Sequence, residues 1–163
     1  MNRILRLVPL VLLVLRLASL LWRARRRTAT GEAPGPAGWN VRGIRGATTV
    51  EEDTPAAIVE AVEELLREIV RRNDLALEDI ASALFTATPD LRTEFPAVAA
   101  RRLGWTLVPL VDAVEIDVRG KLPRCVRVLV HVNTARPQDQ MVHVFLREAS
   151  GLRTDLTAAG PAP

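Results

Sequence analysis

Three arginines and one glutamate stand where a charge needs a reason. Arg127 lies inside Cys125-Val126-Arg127-Val128-Leu129-Val130-His131-Val132, which otherwise reads as a buried strand. Strand side chains alternate, so Val126, Val128, Val130 and Val132 cover one face while Cys125, Arg127, Leu129 and His131 share the other. A guanidinium keeps its proton, and burying it unpaired is costly. Arg127 therefore meets either a structural Asp or Glu on a neighbouring strand or an anionic ligand. Arg45 sits in Arg42-Gly43-Ile44-Arg45-Gly46, where glycines let a ligand approach the backbone closely; the alternative is a surface charge steadying a turn. Arg101, beside Arg102, is either a solvated helix position or a cation at a site. Glu115, in Val111-Asp112-Ala113-Val114-Glu115-Ile116-Asp117, either belongs to a solvent-facing acidic loop or accepts a hydrogen bond from a ligand hydroxyl. Several guanidiniums suit a ligand with more than one carboxylate, because each can bind bidentately.

Other chemistries lack their residues. There is no nucleophile elbow, phosphate loop or dinucleotide fingerprint. The lone Cys125 excludes an internal disulfide, and no Cys/His cluster has metal-ligand spacing. His131 and His143 fall in strand-like runs, where a packed or hydrogen-bonded role is expected. The chain carries a net charge of +3, but residues 1–40 hold seven arginines and one acid, which leaves 15 basic and 18 acidic residues in 41–163. The basicity belongs to the leader, so it does not mark the rest of the chain as a binder of nucleic acid. Zinc-finger, helix-turn-helix and aromatic-stacking signatures are missing too.

The elements that must position these charges can be read from periodicity. Val41–Gly46 reads as a short strand. Asp53 or Thr54 can cap a helix with Pro55 in its first turn, and Ile58, Val62, Leu65, Leu66 and Ile69 recur at helical spacing up to Asn73-Asp74. Ser82–Thr88 is a second strand, broken by Pro89-Asp90. Pro96–Leu103 is a short helix closed by Gly104. Thr106–Val111 is a third strand, continued by Asp112–Asp117, and Gly120–Pro123 turns the chain into the strand of Arg127. Asn133–Gln140 is a polar loop, Met141–Glu148 a last alternating strand, and Gly151–Leu156 a helical turn. Two helices among five strands indicate one mixed α/β or α+β sheet domain, of a size that often needs a partner to cover a sheet face or edge.

Residues 1–27 form a Leu/Val-rich leader interrupted by Arg6, Pro9 and Arg16, and 28–40 a Gly/Pro/Ala-rich linker expected to be flexible. A span needs about 20 apolar residues, and a central arginine costs roughly 2.5–3.5 kcal/mol on insertion scales. The leader reads as a membrane anchor, as an uncleaved signal-like segment, or as upstream sequence joined to a domain that begins near Val41. The abrupt stop at the linker favours the third, with a cytoplasmic protein as its consequence; membrane tethering through 1–27 is the alternative. Residues 157–163 read as a flexible tail.

Six segments in order and spacing carry a family resemblance: VRGIRGATTVEEDT (41–54), LFTATPDLRTEFPA (84–97), GW-(x)2-VPL (104–110), E-(x)1-DV (115–118), LPRCVRV (122–128) and PQDQMVHVFLRE (137–148). Together they resemble the AroH-class chorismate mutases of bacteria over 41–156. The resemblance implies a homotrimeric pseudo-α/β barrel with active sites at subunit interfaces. It implies rearrangement of chorismate to prephenate, toward phenylalanine and tyrosine, with no cofactor or metal. Arg127 then matches the arginine at the substrate's ether oxygen, Arg45 one that binds a carboxylate, and Glu115 the acceptor of the ring hydroxyl. Phe95, Ala97, Val111 and Leu152 match wall and backbone contacts, and Arg101 a mobile cation at the rim. The chain departs from the family pattern at three positions. Phe145 stands where tyrosine is common, which removes one hydrogen bond to a carboxylate. Val98 stands where a lysine can occur. Asp112 replaces a cysteine or small polar residue, and its carboxylate should repel a dianion unless it is protonated, turned away or paired with an arginine. Two other readings stay open: a non-catalytic or regulatory anion-binding trimer of the same fold, and a deaminase-like trimer whose arginine binds a single carboxylate.

Overall fold

The computed structural model describes residues 38–152. The leader, most of the linker and the tail lie outside them. Five strands form one mixed sheet: β1 (Asn40–Thr49), β2 (Ile80–Ala87), β3 (Leu110–Val114), β4 (Cys125–Thr134) and β5 (Val144–Phe145), in the order β3-β2-β4-β1-β5. The β1–β4 and β2–β4 pairs are antiparallel, and the β2–β3 and β1–β5 pairs parallel. Two helices, α1 (Pro55–Asn73) and α2 (Ala97–Arg102), complete the expected mixed architecture.

Helix α1 forms for the reasons its sequence suggests. Thr54 is extended and its hydroxyl accepts the Ala57 N–H at 3.3 Å, while Pro55 takes the first turn. Asp53 does not cap the helix; its carboxylate accepts the Arg92 and Thr93 N–H groups, which fixes the loop after β2. Asp74, in the left-handed region at φ 49°, ends the helix. The apolar stripe Ile58, Val62, Leu65, Leu66 and Ile69 is fully buried against the sheet. The valines of β4 lie on that covered side, joined by Ile44, Phe85 and Trp105.

Strand boundaries differ from the sequence expectation: β2 opens at Ile80 rather than Ser82, β4 runs on to Thr134, and the other three shift further. Strand β1 runs three residues past Gly46 and takes in the last linker residue, Asn40. Gly46 does not end the strand. A Cβ there would lie 2.7 Å from Ile69 Cδ1 and 3.0 Å from Val128 Cγ1, so its missing side chain lets α1 lie close on the sheet. Strand β3 begins at Leu110 rather than Thr106, because Gly104 (φ +89°) and Pro109 keep the intervening residues out of the ladder. The last strand shrinks to two residues. The backbone of Val142 bonds to the side chain of Asn73, whose Nδ2 donates to Val142 O and whose Oδ1 accepts Val142 N–H, both at 2.8 Å. Arg147 turns away at φ 51° into a 3-10 turn, Arg147–Gly151; the helical turn expected over Gly151–Leu156 lies mostly outside the described residues. No helix among the described residues is long and apolar enough to cross a membrane.

Candidate active site

Directly paired strand residues project to the same side of a sheet, so the register sorts the candidate residues by face. One row crosses all five strands: Ala113 (β3), Thr86 (β2), Arg127 (β4), Ala47 (β1) and Phe145 (β5). It lies on the side that α1 does not cover. A second row on that side holds Val111, Leu84, Leu129 and Arg45, which sets Arg45 diagonal to Arg127.

The chain leaves β3 at Val114, and the Glu115 N–H bonds to Ala87 O at 2.9 Å. That bond turns the Glu115 side chain back over β2. One carboxylate oxygen, Oε2, meets Arg127 Nη1 in an ion pair, and the other, Oε1, accepts the Thr86 hydroxyl at 2.6 Å. The arginine's partner is thus a glutamate two strands away, reached across Thr86, not one on an adjacent strand. Burial and, after it, the charge of Arg45 lower the Arg127 pKa, but a guanidinium keeps its proton and stays charged in its ion pair with Glu115. Arg45 is exposed, and its backbone N–H donates to His143 Nδ1 at 3.0 Å. His131 Nδ1 shares a 3.0 Å hydrogen bond with Ser82 Oγ. Both histidines thus have the structural bonds expected of them.

The Phe145 ring is nearly buried with Ala47, Cys125 and Ala149, and Leu152 packs against this group. Phe145 and Leu152 therefore join Arg127 on the open side. Cys125 can be set aside as a nucleophile. Burial, with the Asp90 charge adding to it, pushes its thiol up to about 11, so little thiolate exists at neutral pH.

Asp112 lies on the opposite face. It pairs with Phe85, in the covered row Asp112, Phe85, Val128, Gly46, Val144. Its Oδ1 accepts the Ala97 N–H at 3.1 Å, tying the start of α2 to β3. Burial raises its pKa; the Ala97 hydrogen bond and the Arg101 charge act the other way. Within its own chain the carboxylate thus lies on the face opposite Arg127, at the edge of the cleft that Phe95 lines. Val98 is partly buried on the core. Ala97 is buried, Arg101 is exposed, and Phe95 stands 64% exposed beside a cleft of about 550 Å³ lined also by Thr93, Pro96, Asp112 and Val114.

Within one chain the candidate residues therefore fall into two groups. Arg45, Val111, Glu115, Arg127, Phe145 and Leu152 go with the open sheet side, and Phe95, Ala97, Arg101 and Asp112 with the α2 edge, beside the cleft that Phe95 and Asp112 line. Sequence reasoning missed Thr86. Its parity matches Leu84, but only the strand order shows that it separates Glu115 from Arg127. No group of three or more metal-ligating side chains occurs among the described residues.

A model of the family "Chorismate mutase type I" matches residues 41–156. The chain is 53% identical over 120 residues to "Chorismate mutase AroH" of Thermus thermophilus, covering 73% of this chain and 98% of that protein. It is 48% identical over 118 residues to "Chorismate mutase AroH" of Bacillus subtilis (strain 168), covering 72% and 93%. The solved chorismate mutase from Clostridium thermocellum superposes with a TM-score of 0.65 at 46% identity, covering 66% of this chain and 96% of that one. A covered apolar face, an open face centred on a paired arginine, and relatives matched along nearly their whole length agree: the chain belongs to the chorismate mutase type I family.

Proposed function

We propose that this chain is an isomerase that converts chorismate to prephenate in aromatic amino-acid biosynthesis. In this rearrangement the enol-ether C–O bond breaks as a new C–C bond forms within the bound dianion, so neither nucleophile nor proton transfer is required. What the protein must supply is a compact substrate conformer and a cation where negative charge develops. The observation that carries the reading is Arg127, a guanidinium set between the valines of β4, paired with Glu115 and diagonal to Arg45. Arg127 meets the ether oxygen, Arg45 a carboxylate, and Glu115 the ring hydroxyl. Val111, Phe95, Ala97 and Leu152 form walls and backbone contacts, Arg101 guards the rim, and Phe145 fills the place of a phenol.

The two groups of site residues support a second element of the proposal. In a homotrimer, the open side of one subunit faces the α2 edge of its neighbour, and each site draws on both. The exposed side chains Leu84 (38%) and Val111 (58%) on the open side fit burial of that kind. Residues 41–156 are proposed as the catalytic domain, with 1–27 and 28–40 as an appended leader and linker. The kinship with chorismate mutases does not favour the non-catalytic reading, and the Asp112 carboxylate is engaged by the Ala97 N–H.

The test is direct. The purified full chain is mixed with chorismate, loss of the substrate's absorbance is followed, and the product is identified, with the mass of the assembly measured in parallel. Prephenate formed by a trimer is the expected result. A folded protein that leaves chorismate unchanged sinks the activity, and a monomeric mass in an active sample sinks the shared site.

A further inference from the structure

We infer that Thr86 is a positioning residue for the rearrangement, acting through Glu115. The inference rests on the proposed roles of Glu115 and Arg127 and goes one step beyond them. Strands lie about 4.8 Å apart, so β3 and β4, with β2 between them, stand roughly twice that distance apart. Glu115 spans the gap only by lying over Thr86, the residue of β2 paired with both Ala113 and Arg127. There Thr86 Oγ1 donates to Glu115 Oε1 at 2.6 Å, while Arg127 takes Oε2.

The two partners of the carboxylate differ in what binding does to them. Arg127 has to turn toward the ether oxygen, and as it does so its hold on Glu115 weakens. Among the described residues, Thr86 has no other hydrogen-bond partner for its hydroxyl. Its strand lies inside the sheet, and its β-branched side chain is stiff at χ1, so it holds Oε1 before and after the substrate arrives. With Oε1 occupied, Oε2 is the oxygen left for the ring hydroxyl. Thr86 thereby selects which carboxylate oxygen meets the substrate and keeps Glu115 from following the guanidinium. A hydrogen bond to a charged group of this kind corresponds to about a ten- to hundredfold effect.

Thr86→Val keeps the shape and removes the donor; Thr86→Ser keeps the donor and loosens the shape. In the full-length protein, Thr86→Val should lower kcat/KM about ten- to a hundredfold while the melting temperature stays within a few degrees. Thr86→Ser should restore most of that loss. In a Glu115→Gln background the Thr86→Val change should cost much less than it does alone, because the carboxylate it positions is gone. Undiminished kcat/KM in Thr86→Val, no rescue by serine, or full additivity with Glu115→Gln would each overturn the inference. A second measurement does not depend on turnover. Ligand-free crystal structures of the wild-type and Thr86→Val proteins should show the Glu115 carboxylate displaced in the variant. An unmoved carboxylate overturns the role of Thr86 even if the chain proves not to rearrange chorismate, whereas a wild-type protein without turnover counts against the proposed activity and not against the positioning.

Discussion

Two neighbouring rows of the same five strands have opposite jobs. Asp112, Phe85, Val128, Gly46 and Val144 face the helices; Ala113, Thr86, Arg127, Ala47 and Phe145, each the immediate chain neighbour of a residue in the first row, face away. The first row is nearly all apolar, is shaped around α1, and includes a glycine where a methyl group would collide. The second brings a guanidinium, a hydroxyl and, through the loop after β3, a carboxylate within hydrogen-bonding reach. Core packing and the proposed chemistry of Arg127 and Glu115 are thus divided by the alternation of each strand. A strand shifted by one position would exchange them.

Substitutions on either side of that divide test it. The largest effect is expected from Arg127→Ala, which should lower turnover of chorismate by about a thousandfold and leave the melting temperature and assembly little changed. Steady-state kinetics and calorimetry on one sample would show whether the two readouts separate. Ile44→Ala, one residue from Arg45 but fully buried, should do the reverse. It should cost about 2–5 kcal/mol in urea unfolding and barely alter kcat where the protein remains folded; a large kcat loss there would blur the division. Phe145→Tyr should lower KM for chorismate about tenfold if the ring lies beside a substrate carboxylate. An unchanged KM would leave Phe145 as packing alone.

The smallest effect belongs to Asp112. Its pKa in the folded protein is raised by burial above the ordinary value of 3.8. The folded state therefore favours the protonated acid, and the ionised carboxylate works against folding at pH above the raised value. Asp112→Asn keeps an oxygen to accept the Ala97 N–H and removes the charge. It should raise the melting temperature slightly at pH 7, and the gain should vanish as the pH falls below 3.8. A gain that grew on acidification would contradict the sign.

Much of this was legible in the sequence where local physics decides. The alternation of β4 showed which residues are core and set Arg127 apart, and Thr54-Pro55 with the stripe from Ile58 to Ile69 marked α1. Local pattern misled where a residue answers to something distant in the chain. Gly46 reads as a strand end but is spared a side chain for the sake of Ile69 and Val128. Met141–Glu148 alternates like a strand, yet Val142 takes its backbone partners from Asn73. Asp112 reads in the sequence as a charge beside Glu115, yet the register puts it on the opposite sheet face of its own chain, and Thr86 gained its meaning only once β2 was known to lie between β3 and β4. The resemblance located the arginines and glutamate by analogy; it did not show that one chain holds them in two separate groups.

The pairing of Arg127 with Glu115 also has a consequence in time. The guanidinium proposed for the bond-breaking step is already paired with Glu115, while Arg45 stands exposed beside it. The proposed roles then set an order: Arg45 would catch a carboxylate from solution first, and Arg127 would change partners within the encounter complex. Rapid mixing with a bicyclic dicarboxylate that mimics the transition state should show two phases. The first should scale with ligand concentration and slow with added salt, and the second should reach a plateau and be nearly indifferent to salt. A single salt-sensitive phase at every concentration would mean that both arginines engage together.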